Sequence, residues 1–138
     1  MTTQRIIFQA ESGGVVIIIP AGSVELALKD VPPGVSYMII DAADVPSDRT
    51  FRNAWVIGND CIDHNLSRCK AIGHDIRRAK RAEEFHPFDE IIVKQIPGVS
   101  AVEAETSRQS IRERYALIQD AINVAETTDE IKLALEGA

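Results

Sequence analysis

Aromatic residues are scarce in this sequence, where they fill 5% of 138 positions. Any hydrophobic core must therefore be built mainly from aliphatic side chains. The rest of the composition, 45% hydrophobic and 26% charged, is that of an ordinary folded chain and excludes an intrinsically disordered one. Long apolar runs are missing too, because the longest, Val15 to Ile19, is far shorter than the roughly 20 residues that cross a bilayer. We expect a folded protein with a modest core and no membrane partner.

Cysteine is almost absent. Cys61 and Cys69 are too few for a disulfide framework, and the first residues are not followed by the apolar segment and cleavage site of a secretory signal. We therefore expect free thiols and synthesis in a reducing cytoplasm.

The sequence motifs of common catalytic and cofactor sites are also missing. There is no P-loop, no glycine-rich dinucleotide motif, no nucleophile elbow and no H-E-x-x-H pattern. The sequence thus predicts a protein that is not an enzyme and that has no cofactor.

Charge is present but unevenly placed. Residues 1–63 carry four basic and eight acidic groups, residues 64–86 carry six and three, and residues 87–138 carry five and ten. The basic segment includes Arg77–Arg81, which is a candidate contact for nucleic acid. Its acidic flanks would repel a phosphate backbone, so the pattern favours internal charge pairing over nucleic acid.

Four potential zinc ligands follow one another at the spacing of a zinc knuckle with two ligand types exchanged: Cys61, His64, Cys69 and His74. The last three advance by five residues, or about 140° per step on a helix with 3.6 residues per turn. Ligands spread around a helix in this way cannot meet at one ion. We predict no metal site and a buried Cys69.

Residues 1–63 predict a small antiparallel β-rich module with one short helix. The expected strands are 5–9, 15–19 and 35–41, a glycine turn joins the first two, and a second hairpin is centred on Gly58–Asn59. Ser23 is expected to cap a short helix that runs to Asp30.

Residues 64–138 predict a helical region, with long helices about 65–85 and 101–125 and a short one about 128–136. The first helix shows apolar residues at steps of three and four: Leu66, Cys69, Ile72, Ile76, Ala79 and Ala82. It is expected to end near Pro87, because proline disfavours helical geometry in the residue before it. Residues 89–96 fit either a strand or a turn of helix, and Pro97–Gly98 is expected to break the chain.

The second long helix carries a heptad-like apolar seam interrupted by Arg108. Its members are Ala101, Ala104, Ile111, Tyr115, Ile118, Ile122 and Ala125. Capping boxes are predicted at Ser100–Glu103 and Thr127–Glu130. The fold class is therefore α+β, with the helical part forming a helical hairpin or a coiled-coil-like segment.

Residues 29–55 contain the pieces K-D-V-P-x-G, a strand that ends in Asp, and P-x-D-R-x-F-R-N-A-W. This signature resembles a family of short proteins from tailed bacteriophages and prophages, commonly met among tail genes, and the resemblance extends over residues 5–82. It implies a virion tail component or a tail assembly factor, with no active site to carry over.

We therefore predict a bacteriophage tail structural protein that attaches or organises tail fibres through subunit contacts. Other tail or tail-fibre proteins and further copies of the chain are the expected partners. The expected location is the virion tail, after assembly in the cytoplasm of the host. Two alternatives stay open: a non-virion assembly chaperone and a nucleic-acid-binding regulator.

The candidate partner-binding residues belong to two groups. Four lie in the signature, namely Arg49, Phe51, Arg52 and Trp55, and four lie on the apolar seam, namely Ile111, Tyr115, Ile118 and Ile122. For Phe51 and Trp55 the alternative is a place in the core of the β-rich module.

Overall fold

A computed structural model gives the fold and describes residues 2–94 and 101–138. The chain divides into two compact units, Met1–Arg68 and Cys69–Ala138, which we call the β unit and the helical unit. Antiparallel strands dominate the first and long helices the second, so the predicted α+β class is confirmed.

The larger sheet of the β unit has three antiparallel strands in the order β2-β1-β3. Its strands are β1 (Gln4–Gln9), β2 (Val15–Ile18) and β3 (Met38–Asp41). Gly13 and Gly14 adopt φ values of 96° and 79° in the β1–β2 turn, where a side chain would be strained.

A second, two-stranded sheet closes one face of the larger one. It pairs β4 (Trp55–Ile57) with β5 (Ile62–His64) around the predicted turn. The side chain of Gln9 joins the sheets, because its amide donates to Gly14 O at 2.6 Å and its carbonyl accepts from Ile57 N at 3.2 Å. Ile7, Ile40, Trp55 and Ile62 form the core between them.

A short helix, α1 (Val24–Ala27), covers part of the opposite face of the larger sheet. The hydroxyl of Ser23 accepts from Leu26 N at 3.3 Å, which is the predicted N-cap. A turn of 3-10 helix, Leu28–Asp30, continues it. Val24 and Ala27 pack on Ile6, giving a second small cluster.

The helical unit contains α2 (Leu66–Lys94), which begins in the β unit, α3 (Ala101–Val124) and α4 (Thr128–Leu135). The predicted end of the first helix near Pro87 is wrong, since α2 runs through Pro87 to Lys94. Proline removes one backbone hydrogen bond, but contacts on both sides compensate: Phe85 is buried, and Asp89 pairs with Arg108 Nε at 3.0 Å.

Residues 89–94, which the sequence left open between strand and helix, are helical. The expected break at Pro97–Gly98 and the Ser100 half of the first capping box lie outside the described residues.

The predicted apolar face of α2 is rotated from the observed one. Ala79 and Ala82 are exposed, and the buried positions follow a line of four-residue steps: Cys69, Gly73, Arg77 and Phe85. Gly73 is a close approach, because a Cβ there would lie 2.8 Å from the Cγ2 of Ile131 in α4. Apolar residues alone did not define this face, since a glycine and an arginine occupy its centre.

The seam of α3 is buried at six of its seven predicted positions, with Ala101 exposed. At the Arg108 interruption, Phe85 of α2 lies beneath the guanidinium, whose Cζ is 5.7 Å from the ring centre. The aromatic ring thus fills the gap in the apolar pattern.

The capping box predicted at the start of α4 forms with one change of partner. Thr127 Oγ1 accepts from Glu130 N at 3.2 Å, as expected. The Glu130 carboxylate reaches back to Glu126 N, one residue before the predicted Thr127.

None of the helices in the described part of the chain is long and apolar enough to cross a membrane.

Candidate functional site

Of the four signature residues predicted to bind a partner, two are buried and two are exposed. Phe51 and Trp55 are 2% and 1% exposed, so they are interior residues of the β unit, and their assignment to a partner surface is corrected. Arg49 and Arg52 are exposed. The two aromatic side chains thus stabilise the signature segment from the interior of the β unit.

The acidic residues of the signature form turns. Asp41 accepts from Ala43 N at 2.9 Å and from the Thr3 hydroxyl at 3.0 Å, and these two bonds, the backbone one first, lower the pKa of its carboxyl group. Asp48 accepts from the amide and hydroxyl of Thr50 at 2.9 and 2.6 Å. The signature is therefore largely an architectural segment.

The four seam residues predicted to bind a partner are also interior. Ile111, Tyr115, Ile118 and Ile122 are buried in the helical unit of a single chain. Their assignment to a partner surface is wrong for this fold, because the helices of one chain already cover the seam.

An apolar surface that the sequence analysis did not single out lies at the edge of the larger sheet. The predicted strand 35–41 is shorter in the structure, because β3 begins at Met38. Ile39 lies in β3, Val35 and Tyr37 precede it, and the three are 40%, 36% and 49% exposed, whereas Ile40 belongs to the core. We call these three residues the edge stripe. Among the described residues β3 pairs only with β1, so its other edge has no strand partner.

An arginine-lined pocket lies between α2 and α3. It has a volume of about 420 Å³, and its charged lining residues are Arg77, Arg78, Arg81 and Arg112. We call this the arginine pocket. Three of its arginines belong to the basic segment for which a solvated or ion-paired helix face was the favoured interpretation.

Arg77 is the most enclosed of the four, with 7% of its surface exposed. Burial, followed by the nearby charges of Arg78 and Arg81, lowers the pKa of its guanidinium. The long aliphatic stem of an arginine explains how it occupies a buried position, because methylene groups pack while the head remains at the pocket.

A chain of hydrogen bonds orients Arg77. Its Nε donates to His74 Nδ1 at 3.3 Å, and His74 Nε2 lies 2.8 Å from Asn123 Oδ1. The side chain of His74 therefore bridges Arg77 and Asn123 through its two ring nitrogens. Lys70 Nζ also donates to the carbonyl of Asn123 at 2.9 Å, which ties this end of α3 to α2.

The other arginines are held at the rim. Arg81 stacks on Phe85 with Cζ 4.6 Å from the ring centre. Arg78 pairs with Asp75 at 2.9 Å, and Arg112 pairs with Glu105 at 2.8 Å. Each pairing engages one terminal nitrogen, so the planar guanidinium groups keep further donors for a ligand.

Tyr115 forms one wall of the arginine pocket and belongs to a neighbouring charged cluster. Burial, and then the adjacent Glu84 carboxylate, raise the pKa of its phenol. The hydroxyl lies outside strict hydrogen-bond geometry to Glu84. Glu84 itself forms an ion pair with Arg114 across the two helices.

The four potential zinc ligands have different environments. Cys61 is exposed and Cys69 is buried, where burial raises the pKa of its thiol. Both ring nitrogens of His74 are engaged by Arg77 and Asn123. Within residues 2–94 and 101–138, no group of three or more His, Cys, Asp or Glu side chains is arranged to hold a metal ion.

The sequence analysis missed the edge stripe and the arginine pocket because it did not determine which face of each element is covered. Val35 and Ile39 were assigned to a strand without distinguishing its two faces, and Arg77 was considered only as part of the basic segment and not as a residue of the buried face of α2. A four-residue period through Cys69, Arg77 and Phe85 was the available signal for the second feature.

Comparison with known proteins assigns no family, because no protein-family model, curated protein or solved structure matches the chain.

Proposed function

We propose that this protein is a structural component of a bacteriophage tail and that it contacts a neighbouring tail subunit through the edge stripe. The observation that carries the proposal is the exposure of Ile39 in the edge strand β3 and of Val35 and Tyr37 just before it, within the segment that resembles the tail-protein family.

An unpaired strand edge is a template for another chain. Soluble proteins usually protect such an edge with charged residues, proline or a covering element. Pro32 and Pro33 precede the stripe, but the stripe itself carries no charge. A partner strand added to β3 would satisfy its free backbone groups and cover the apolar side chains together.

The interior of the signature supports the same function. Phe51, Ala54 and Trp55 are buried, and Trp55 packs with Ile40, the neighbour of Ile39 along β3. The contact of Trp55 with Ile40 holds β3 in place, and it thereby also sets the position of Ile39 on the opposite face of the strand. The signature thereby serves subunit contact without touching the partner.

The test uses purified particles of the phage that encodes this chain. Quantitative mass spectrometry is expected to find the protein at a constant number of copies per particle. Ile39→Asp places a charge in the edge stripe and is expected to reduce that number strongly. Leu26→Asp, the same change at an exposed position of α1, is the matched control and is expected to leave it unchanged.

Absence of the wild-type protein from particles would contradict the virion assignment. If tails then failed to assemble without it, the non-virion chaperone would replace our proposal. Equal incorporation of the Ile39→Asp and wild-type proteins would contradict the role of the edge stripe alone.

A further inference from the structure

We propose that the arginine pocket binds a small ligand through a phosphate group, with Arg77 at its centre. This inference rests on the helical unit alone and is independent of the proposed tail function.

Arg77 carries a positive charge that no acidic side chain of the described residues pairs with. The residue is 7% exposed, and within the described residues its side-chain hydrogen bond goes to His74 rather than to a carboxylate. No ion pair joins it to an acidic residue of residues 2–94 or 101–138. An enclosed charge without a counter-ion destabilises the folded chain, and a bound anion compensates it.

The charges at the pocket are unbalanced. Its lining contains four arginines and no acidic residue. Asp75 and Glu105 each neutralise one rim arginine, which leaves an excess of about two positive charges. A phosphate monoester carries about −1.5 to −2 at neutral pH, whereas a single carboxylate carries −1. The phosphate therefore matches the excess more closely.

The donors of the pocket come from more than one helix. Guanidinium groups from two helices face one space, and a phosphate has enough acceptor oxygens to receive several of them at once. His74 and Phe85 restrain Arg77 and Arg81, so less side-chain entropy is lost when the anion binds.

The remaining walls indicate a small ligand. Ala82 and Ala116 leave room beside the arginines, and Gln119 adds an amide. A volume of about 420 Å³ exceeds what a single phosphate group fills, so the ligand has a further moiety. The net charge of −6 repels a long polyanion, which disfavours a nucleic acid backbone as the source of the phosphate.

The test is calorimetric titration of the full chain at low salt with pyrophosphate as the probe. The wild type is expected to bind one equivalent, and Arg77→Met is expected to weaken binding at least about tenfold. Methionine keeps an unbranched apolar stem, so the variant is expected to fold with an unchanged or higher melting temperature. Lys29→Gln, which removes one exposed positive charge from the β unit, is the control and is expected to bind like the wild type.

A lower melting temperature for Arg77→Met together with unchanged pyrophosphate binding would identify Arg77 as a structural residue and overturn the proposal. If Arg77→Met fails to fold, Arg81→Gln and Arg112→Gln at the rim provide the test. Each is then expected to weaken binding about threefold to tenfold. Unchanged binding in both would overturn the proposal.

Two further titrations decide the chemical class. Citrate is expected to bind more weakly than pyrophosphate, and equal or tighter binding of citrate would overturn the phosphate assignment. A short DNA duplex is expected not to compete, and competition that depends on Arg77 would assign the pocket to nucleic acid instead. No binding of pyrophosphate to the wild type up to about 10 mM would overturn the site altogether.

Discussion

The interiors of the two units differ in their chemistry. In the β unit the interior is hydrocarbon and aromatic, with Ile7, Ile40 and Trp55 between two sheets. In the helical unit the interior includes Arg77, which is 7% exposed, together with the phenol of Tyr115. The first interior stabilises the fold alone, whereas the second also forms the wall of a charged pocket.

The two units also differ in how completely their secondary-structure elements are covered. The β unit has a small sheet with one face closed by β4 and β5 and the other covered only in part by α1. The edge stripe remains exposed because this face is covered only in part. In the helical unit the seam of α3 is buried except at Ala101, and the exposed apolar side chains lie off the seam, as at Leu117 and Val124.

The largest expected effect is in the seam of the helical unit. Ile118→Asp places an unpaired charge at a position that is 5% exposed, and we expect a loss of about 4 kcal/mol in the free energy of unfolding. Leu117→Asp is the control, since the adjacent side chain is 71% exposed, and it is expected to cost little. Urea unfolding followed by far-UV circular dichroism measures both. Equal effects would mean that the seam is not interior.

The corresponding change in the β unit is Trp55→Ala. Removing this buried indole is expected to cost about 3 kcal/mol through lost burial and a cavity. Tyr37→Ala removes a half-exposed ring and is expected to have a much smaller effect on the free chain. Amide hydrogen exchange of β1 is the appropriate measurement, because the helices dominate the circular dichroism. Similar exchange in both variants would contradict the assigned core.

A smaller effect tests the close approach of α2 and α4. Gly73→Val is expected to cost about 2 kcal/mol by overpacking, because its Cβ meets the buried Ile131. Gly22→Val is the control, since a Cβ there meets nothing within 4 Å. A stable Gly73→Val protein would mean that α4 does not pack at this position. Thermal unfolding separates the two outcomes.

The smallest effect concerns Glu84, whose pKa is lowered chiefly by the hydrogen bond from Arg114 and then by Tyr115. A carboxyl group with a lowered pKa in the folded state stabilises it above the ordinary pKa of Glu, and this contribution is lost as the pH falls through the folded value. Glu84→Gln is therefore expected to cost below about 1 kcal/mol at neutral pH and nothing in acid. A difference that grows on acidification would contradict this sign.

Much of the β unit was predictable from local chemistry. The glycines at the first turn and Ser23 at α1 act on their own neighbourhood, so their structural effects could be inferred directly from the sequence. The exposure of Ile39 could not be inferred from the sequence, because alternating residues show that a strand has two faces but not which element covers each face.

The helical unit shows a different limit. The seam of α3 was predictable because its apolar period continues for many turns. Pro87 and Arg77 were misinterpreted because both depend on α3: Arg108 pairs beyond the proline, and Asn123 supports the histidine that orients the buried arginine. The arginine pocket combines side chains that are far apart in the sequence, so no local sequence pattern predicts it.

The central claim is that the edge stripe makes a subunit contact, and thiol labelling tests it most directly. In a Cys61→Ser background, in which Cys69 is buried, Ile39→Cys supplies a reporter in the stripe and Glu11→Cys supplies an exposed reporter in the first turn. Both are expected to react readily in the free chain, and the residue 39 thiol alone is expected to be protected in purified tail particles. Equal reactivity of the two thiols in the particle would contradict the account.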